Sequence, residues 1–199
     1  MGCGPSSAVV SEADKATLAN AQFTAIPPVW SGITAMEGDT LIANGATIED
    51  AAGKVILNVA NDKAVFWALS DPATGQVVMT VSKPDGGNWG KTSITMKINS
   101  ATGLFGSFEV PMTFAGPREL IYLDTSGALV MKAKFYSSYI LKIFGPDGKS
   151  LAAVVTGSSG LGTVHTCKQC TFAKGADPII ALAMAPALME VIAQAGPGL

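Results

Sequence analysis

The chain has 199 residues, 48% of them hydrophobic and 14% charged, enough apolar material for one well-buried domain without requiring a second. Its 13 Lys and Arg are scattered singly against 15 Asp and Glu, so no basic patch stands ready to neutralise a run of phosphates, and nucleic acid is not the expected partner. Three cysteines (Cys3, Cys167, Cys170) are too few and too uneven for a disulfide framework, and the first residues lack a signal peptide's charged region and apolar run; a reducing, cytosolic setting is expected.

The chain starts with MGCGPSS, the pattern of an N-myristoylation site. Gly2 is the acceptor once Met1 is removed, Ser6 fills the small hydroxyl position, and Cys3 is a neighbouring palmitoylation candidate. Two acyl chains matter because one myristoyl group binds membranes only marginally, at about 10⁴ M⁻¹. The next segment, SEADKATLANAQ, reads as a short helix or tether with Ser11 as its cap. Residues 1–25 are therefore expected to tether a domain spanning 26–199.

Within that domain one pattern repeats: an Asp-containing turn with Gly, followed at once by an apolar run. It occurs around Asp50 and Gly53, Asp71 and Gly75, Asp124 and Gly127, and Asp147 and Gly148; Gly53 and Gly75 are 22 positions apart and Gly127 and Gly148 are 21 apart, as in two similar hairpin pairs. Asp bonds its own turn backbone, Gly accepts positive φ, and the flanking branched residues suit pleated strands. Further strands are predicted over Ile94–Ile98, Gly106–Phe114, Ala128–Tyr136 and Tyr139–Phe144, with Lys132 and Lys134 facing one way and Met131, Ala133 and Phe135 the other. Pro111 should mark an edge or bulge, and the stretches Lys83–Gly90 and Thr156–Gly162 read as loops. About ten to twelve strands at this spacing argue for a barrel or sandwich rather than alternating βαβ units.

The stretch DPIIALAMAPALMEVIAQAG completes the reading. Asp177 is a good N-cap, Pro178 suits the first helical position, and Gly196 with Pro197 makes a stop, so a helix is predicted from Pro178 to about Ala195. It is apolar on every face, yet its uncharged portion, Pro178 to Met189, is 12 residues long, against roughly 18 for a membrane span. Such a helix belongs inside a protein, and a closed barrel of this strand count has an interior to fill. Pro186 should kink it.

TIEDAAGKVILNV, LIYLDTSGALVMKAKF with YILKIFGPDGKSLAAV, and the helix after KGADP occur in an order that resembles the LURP-one-related proteins over about Asp39 to Ala195. Those proteins share the Tubby C-terminal-like fold with phospholipid scramblases. The resemblance implies a closed antiparallel barrel of twelve strands around the C-terminal helix. It also implies a headgroup-binding role, since Tubby relatives hold phosphoinositides with basic side chains; Lys132, Lys134 and Lys142 are the candidates here, and ordinary solvated strand lysines the alternative. Scramblase relatives carry an acidic calcium-binding segment before this helix, but CTFAKGAD supplies one carboxylate, Asp177, where calcium wants six to eight oxygens.

No nucleophile elbow, Walker loop or dinucleotide fingerprint appears. His165, Cys167 and Cys170 invite a metal or redox reading, but residues three apart on a strand point to opposite faces about 10 Å apart, beyond disulfide or zinc reach. Glu49 and Asp50 flank a turn, where turn chemistry is the stronger reading. The expectation is a non-enzymatic module, without cofactor or metal, held by acyl chains at the cytoplasmic face of the plasma membrane or endomembranes, where it engages a lipid headgroup or a protein. Scramblase-like lipid transport and a redox or metal role for the cysteine pair are the alternatives.

Overall fold

Hairpin after hairpin, the strand-turn pattern closes into a barrel. The computed structural model describes residues 9–23, 28–35, 39–61, 65–84, 92–112, 119–157, 161 and 168–195. In chain order they form helix α1 (Glu12–Asn20), a 3₁₀ turn (Ser31–Ala35), and strands β1 (Thr40–Ala43), β2 (Thr47–Asp50), β3 (Val55–Ala60), β4 (Val65–Ser70), β5 (Val77–Ser82) and β6 (Ser93–Ser100). Strands β7 (Gly103–Pro111), β8 (Glu119–Asp124), β9 (Leu129–Ser137), β10 (Ile140–Phe144), β11 (Leu151–Gly157) and β12 (Lys168–Phe172) follow, then helix α2 (Pro178–Ala195). Every strand pairs antiparallel with its sequence neighbours, and β1 closes on β12 from Thr40↔Thr171 to Ala43↔Lys168.

The turns form as their residues dictate. Asp50 Oδ1 accepts from the Ala52 and Lys54 N–H groups, both at 3.0 Å, and Asp124 Oδ1 accepts from Ser126 (2.8 Å) and Ala128 (3.0 Å), so the β2–β3 and β8–β9 turns share one geometry. Gly127 and Gly148 take φ of 81° and 66°, open to glycine at no steric cost. Side chains then alternate: Ile94, Met96 and Ile98 of β6 point into the core while Thr95 and Lys97 are exposed.

Several boundaries differ from expectation. Strand β6 outruns Ile94–Ile98 at both ends, and β7 begins at Gly103 because Gly103 and Leu104 already pair with Ser100 and Asn99. Thr156 and Gly157, expected in a loop, are the last residues of β11, held by pairing with Gln169 and Lys168; most of that stretch, and residues 85–90 of the other expected loop, lie outside the described residues. Pro111 ends β7 past the last described pair with β8, Glu109↔Ile121, where its missing N–H costs no bond to that strand.

Helix α2 fills the barrel. Every side chain from Pro178 to Leu188 is buried, and the helix packs against β1, β7, β8, β11 and β12. Asp177 caps it: Oδ1 accepts from Ile179 N (2.9 Å) and Ile180 N (3.1 Å), and Oδ2 from Val29 N (2.8 Å), which ties the helix to the segment entering the barrel. Pro186 stands within the helix and is buried like its neighbours. Only at the C-terminal end do polar groups appear, where Gln194 donates to Glu190 at 3.1 Å. No described helix is long and apolar enough to cross a membrane.

Helix α1 lies outside the barrel. Ser11 caps it by accepting from Asp14 N at 3.1 Å, and Val10 and Leu18 bury themselves against Leu151, Val154 and Ala173. That cover explains why all seven residues of β11 are buried when half of an exposed strand would face water. Past the helix, Phe23 N donates to Lys174 O at 3.0 Å, stitching the chain to the strap before α2.

Candidate functional site

The lysines singled out in the sequence meet on the barrel's outer wall. In the pleat of β9, Met131 and Ala133 point inward, which turns Lys132 and Lys134 outward; Lys142 does the same on β10 between Leu141 and Ile143. The β9–β10 register sets Lys134 directly opposite Lys142, two like charges on facing positions, an arrangement that is destabilising unless an anion intervenes. For Lys142 the anion is present: its Nζ donates to Asp14 Oδ1 at 2.8 Å, with the two side chains 18% and 17% exposed, and lies 4.3 Å from the centre of the Tyr136 ring. Lys132 pairs with Glu119 at 3.1 Å. Lys134 is exposed and makes no ion pair among the described residues.

A groove of about 410 Å³ opens between this wall and α1. Lys134, Lys142, Tyr136 and Asp14 line it together with Lys149, which the β10–β11 turn brings in. Lys132 is not among its lining residues. Partial burial works against the Asp14 charge, but hydrogen bonds from Lys142 and Ser11 and the Lys142 charge prevail and hold its carboxyl below the usual aspartate range. Three ammonium groups around one carboxylate leave the groove net cationic. Sequence reading found Lys134 and Lys142 from the strand period; it missed Lys149, which sits in a turn, and Asp14, which is 128 positions from its partner.

The remaining expected residues are dispersed. Gly2 and Cys3, the lipid-attachment candidates, lie outside the described residues, as do Ser6, His165 and Cys167. Cys170 points into the core of β12 with no exposed surface, and burial, aided by the Asp177 charge, pushes its thiol far above the ordinary range, so it is a poor nucleophile or ligand. Glu49 accepts from Asn44 (3.3 Å) and Thr47 (3.1 Å), and Asp50 is spent on its turn. Among the described residues no group of three His, Cys, Asp or Glu could hold a metal ion.

Further groups are perturbed. Lys168, buried at the start of β12, is lowered to about 8 by desolvation. Asp177 is raised by burial, against the pull of its three backbone donors. A second cleft, about 420 Å³, opens at the barrel end beside the Asp124 and Asp147 turns, where Phe23 crosses Leu129 and Gly175. Both turn carboxyls are held low by their own serines first, Asp124 by Ser126 and Asp147 by Ser150, the latter down to about 2.

No protein-family model matches the chain, and no curated protein does. Among solved structures, an X-ray structure of a protein from Arabidopsis thaliana is similar, at 11% identity and a TM-score of 0.48, over 77% of this chain and 90% of that one.

Proposed function

We propose that this chain is a non-enzymatic membrane module of the LURP-one-related and Tubby-like type, which binds the phosphate-bearing headgroup of an anionic lipid in the groove beside α1. The observation that carries the reading is the convergence of Lys134, Lys142 and Lys149 on one groove, with Lys134 facing Lys142 across the strand pair. Facing like charges weaken a sheet, and a phosphate, with three strong acceptor oxygens, relieves that repulsion at several ammonium groups at once. Acyl chains at Gly2 and Cys3 would hold the protein at the cytoplasmic face of the plasma membrane or endomembranes, and the groove would then choose the headgroup. Scramblase-like transport would require α2 to leave the barrel and surrender a face buried from Pro178 to Leu188.

The test is flotation of the purified protein with phosphatidylcholine vesicles containing phosphatidylinositol bisphosphate. Lys134→Ala with Lys142→Ala and Lys149→Ala should abolish binding that Lys97→Ala, on the exposed face of β6, leaves intact. Binding by the triple variant equal to wild type would sink the reading. In cells, Gly2→Ala should move the folded protein from membrane to soluble fractions.

A further inference from the structure

We infer that Asp14 is a resident occupant of the anion seat, and that α1 and a phosphate-bearing ligand compete for Lys142. This rests on the groove reading above and adds its regulation. The Asp14 carboxylate takes one ammonium, Lys142, at 2.8 Å, while Lys134 and Lys149 line the same groove. A phosphate monoester carries up to two charges and three acceptor oxygens, so it engages more of the three lysines than one carboxylate does. A phosphate drawn to Lys142 comes up against the Asp14 carboxylate already on that ammonium, and the repulsion between the two anions in a part-buried groove favours release of Asp14.

What Asp14 holds is weakly built. Helix α1 has nine residues, too few to persist in water alone, so its order depends on what it docks against. The docking consists of Val10 and Leu18 against the outer wall, the Asp14–Lys142 pair, and the Phe23–Lys174 stitch beyond the helix. Asp14 is also the residue that closes the cap with Ser11, accepting Ser11 Oγ at 2.8 Å while its own N–H donates to Ser11. Loss of the Lys142 contact thus loosens the docking of a helix whose first turn the same residue caps. Helix α1 acts as a strap over the groove, and its release exposes the outer face of β11 and lengthens the link between the acyl-bearing N-terminus and the barrel.

Competition is reciprocal: whatever undocks the strap tightens the ligand, and the ligand undocks the strap. Apparent affinity falls by the fraction of molecules with the strap released, so raising that fraction from about a tenth to nearly all tightens binding about tenfold. The experiment compares wild type, Asp14→Asn and Leu18→Ala for binding of soluble inositol trisphosphate and of vesicles containing phosphatidylinositol bisphosphate, with hydrogen exchange of the α1 amides as the second readout. Asp14→Asn removes a negative charge as well as the strap contact. Leu18→Ala leaves every charge in place, and since Leu18 packs only in the small outer cluster, it spares the barrel core.

About tenfold tighter binding by both variants, with loss of α1 protection when ligand is added to wild type, supports the strap. If this order appears with vesicles and not with the soluble headgroup, the strap still stands and the lipid surface is the source of the phosphate. Equal affinity of Leu18→Ala and wild type, or α1 amides that stay protected in the complex, overturns the strap and leaves the groove reading intact. No binding by any of the three overturns both.

Discussion

Asp177 joins three parts of the molecule, and its removal should be costly in a calculable way. Asp177→Ala deletes the cap that serves Ile179 N and Ile180 N and leaves the Val29 N–H without its acceptor at a buried site. A lost N-cap costs about 1 kcal/mol, and a buried donor left unmade about 1–3 kcal/mol. The sum, about 2–4 kcal/mol, is a large share of the 5–15 kcal/mol that holds a typical domain together. For a chain of this length about 1 kcal/mol lowers the melting temperature by about 2–4 °C, so a drop of about 4–16 °C is expected. Urea unfolding followed by tryptophan fluorescence measures the free-energy loss, and a thermal melt the temperature shift, because Trp67 is buried in the barrel and exposed on unfolding. The midpoint should fall with the slope unchanged. Asp177→Asn should lie between, since its carbonyl oxygen still serves the two helix donors while its amide nitrogen faces Val29 N. A loss under about 0.5 kcal/mol for Asp177→Ala would refute the view that this carboxylate couples α2 to the entering segment.

The same residue sets a pH signature. Burial raises the folded Asp177 carboxyl above 3.8, so its contribution is full below the unfolded value and is lost as pH rises through the folded one; wild type should lose stability relative to Asp177→Asn as pH rises from about 4, and a relative gain on that rise would contradict the assignment. Leu188→Ala opens a cavity at a fully buried site of α2 and should cost about 2–5 kcal/mol by urea unfolding, whereas a cost below about 1 kcal/mol would mean that α2 is not core. Gly175 holds φ of 89° with the Phe23 carbonyl oxygen pressed against where a Cβ would stand, so Gly175→Ala should destabilise by more than about 1 kcal/mol, and a neutral effect in thermal melts would show that the segment before α2 shifts freely. In a Cys3→Ser, Cys167→Ser background, Cys170 should resist thiol reagents until the protein unfolds; fast labelling of native protein would contradict its burial.

The barrel was legible because its signals are local. An Asp that bonds the backbone two and four residues on, a Gly at positive φ and a period of two each need only a few adjacent residues, and these signals recur along the chain. The enclosed helix was legible for a different reason: Asp177, Pro178 and an apolar face all round specify a helix with nowhere to go but inside. The groove was only half legible. Lys134 and Lys142 share a face by strand period, but that they stand opposite each other depends on a register shift between Ile140 and Leu141, and a bulge is set by tertiary pairing. Asp14 was out of reach, because nothing in SEADKATLAN marks the strand on which it docks; its low apolar content reads as a tether, and only the structure shows Val10 and Leu18 finding the outer wall.

The position of α2 decides where function can reside. An open barrel of moderate strand number offers its interior to a ligand, as the smaller ligand-carrying barrels do. Here the interior is occupied by Ile179, Ile180, Leu182, Met184 and Leu188, all without exposed surface, and by the inward rows of the strands that meet them. A ligand could enter only by displacing packed side chains, each worth about 1.5–3 kcal/mol of buried apolar area. The outer wall is under no such constraint. Between β9, β10 and β11 it carries lysines on facing positions, a ring for one of them to lie against, and a covering helix whose carboxylate pairs with Lys142. The inside of this barrel therefore acts as scaffold, and the proposed headgroup recognition is placed on the stretch of outer wall that α1 covers.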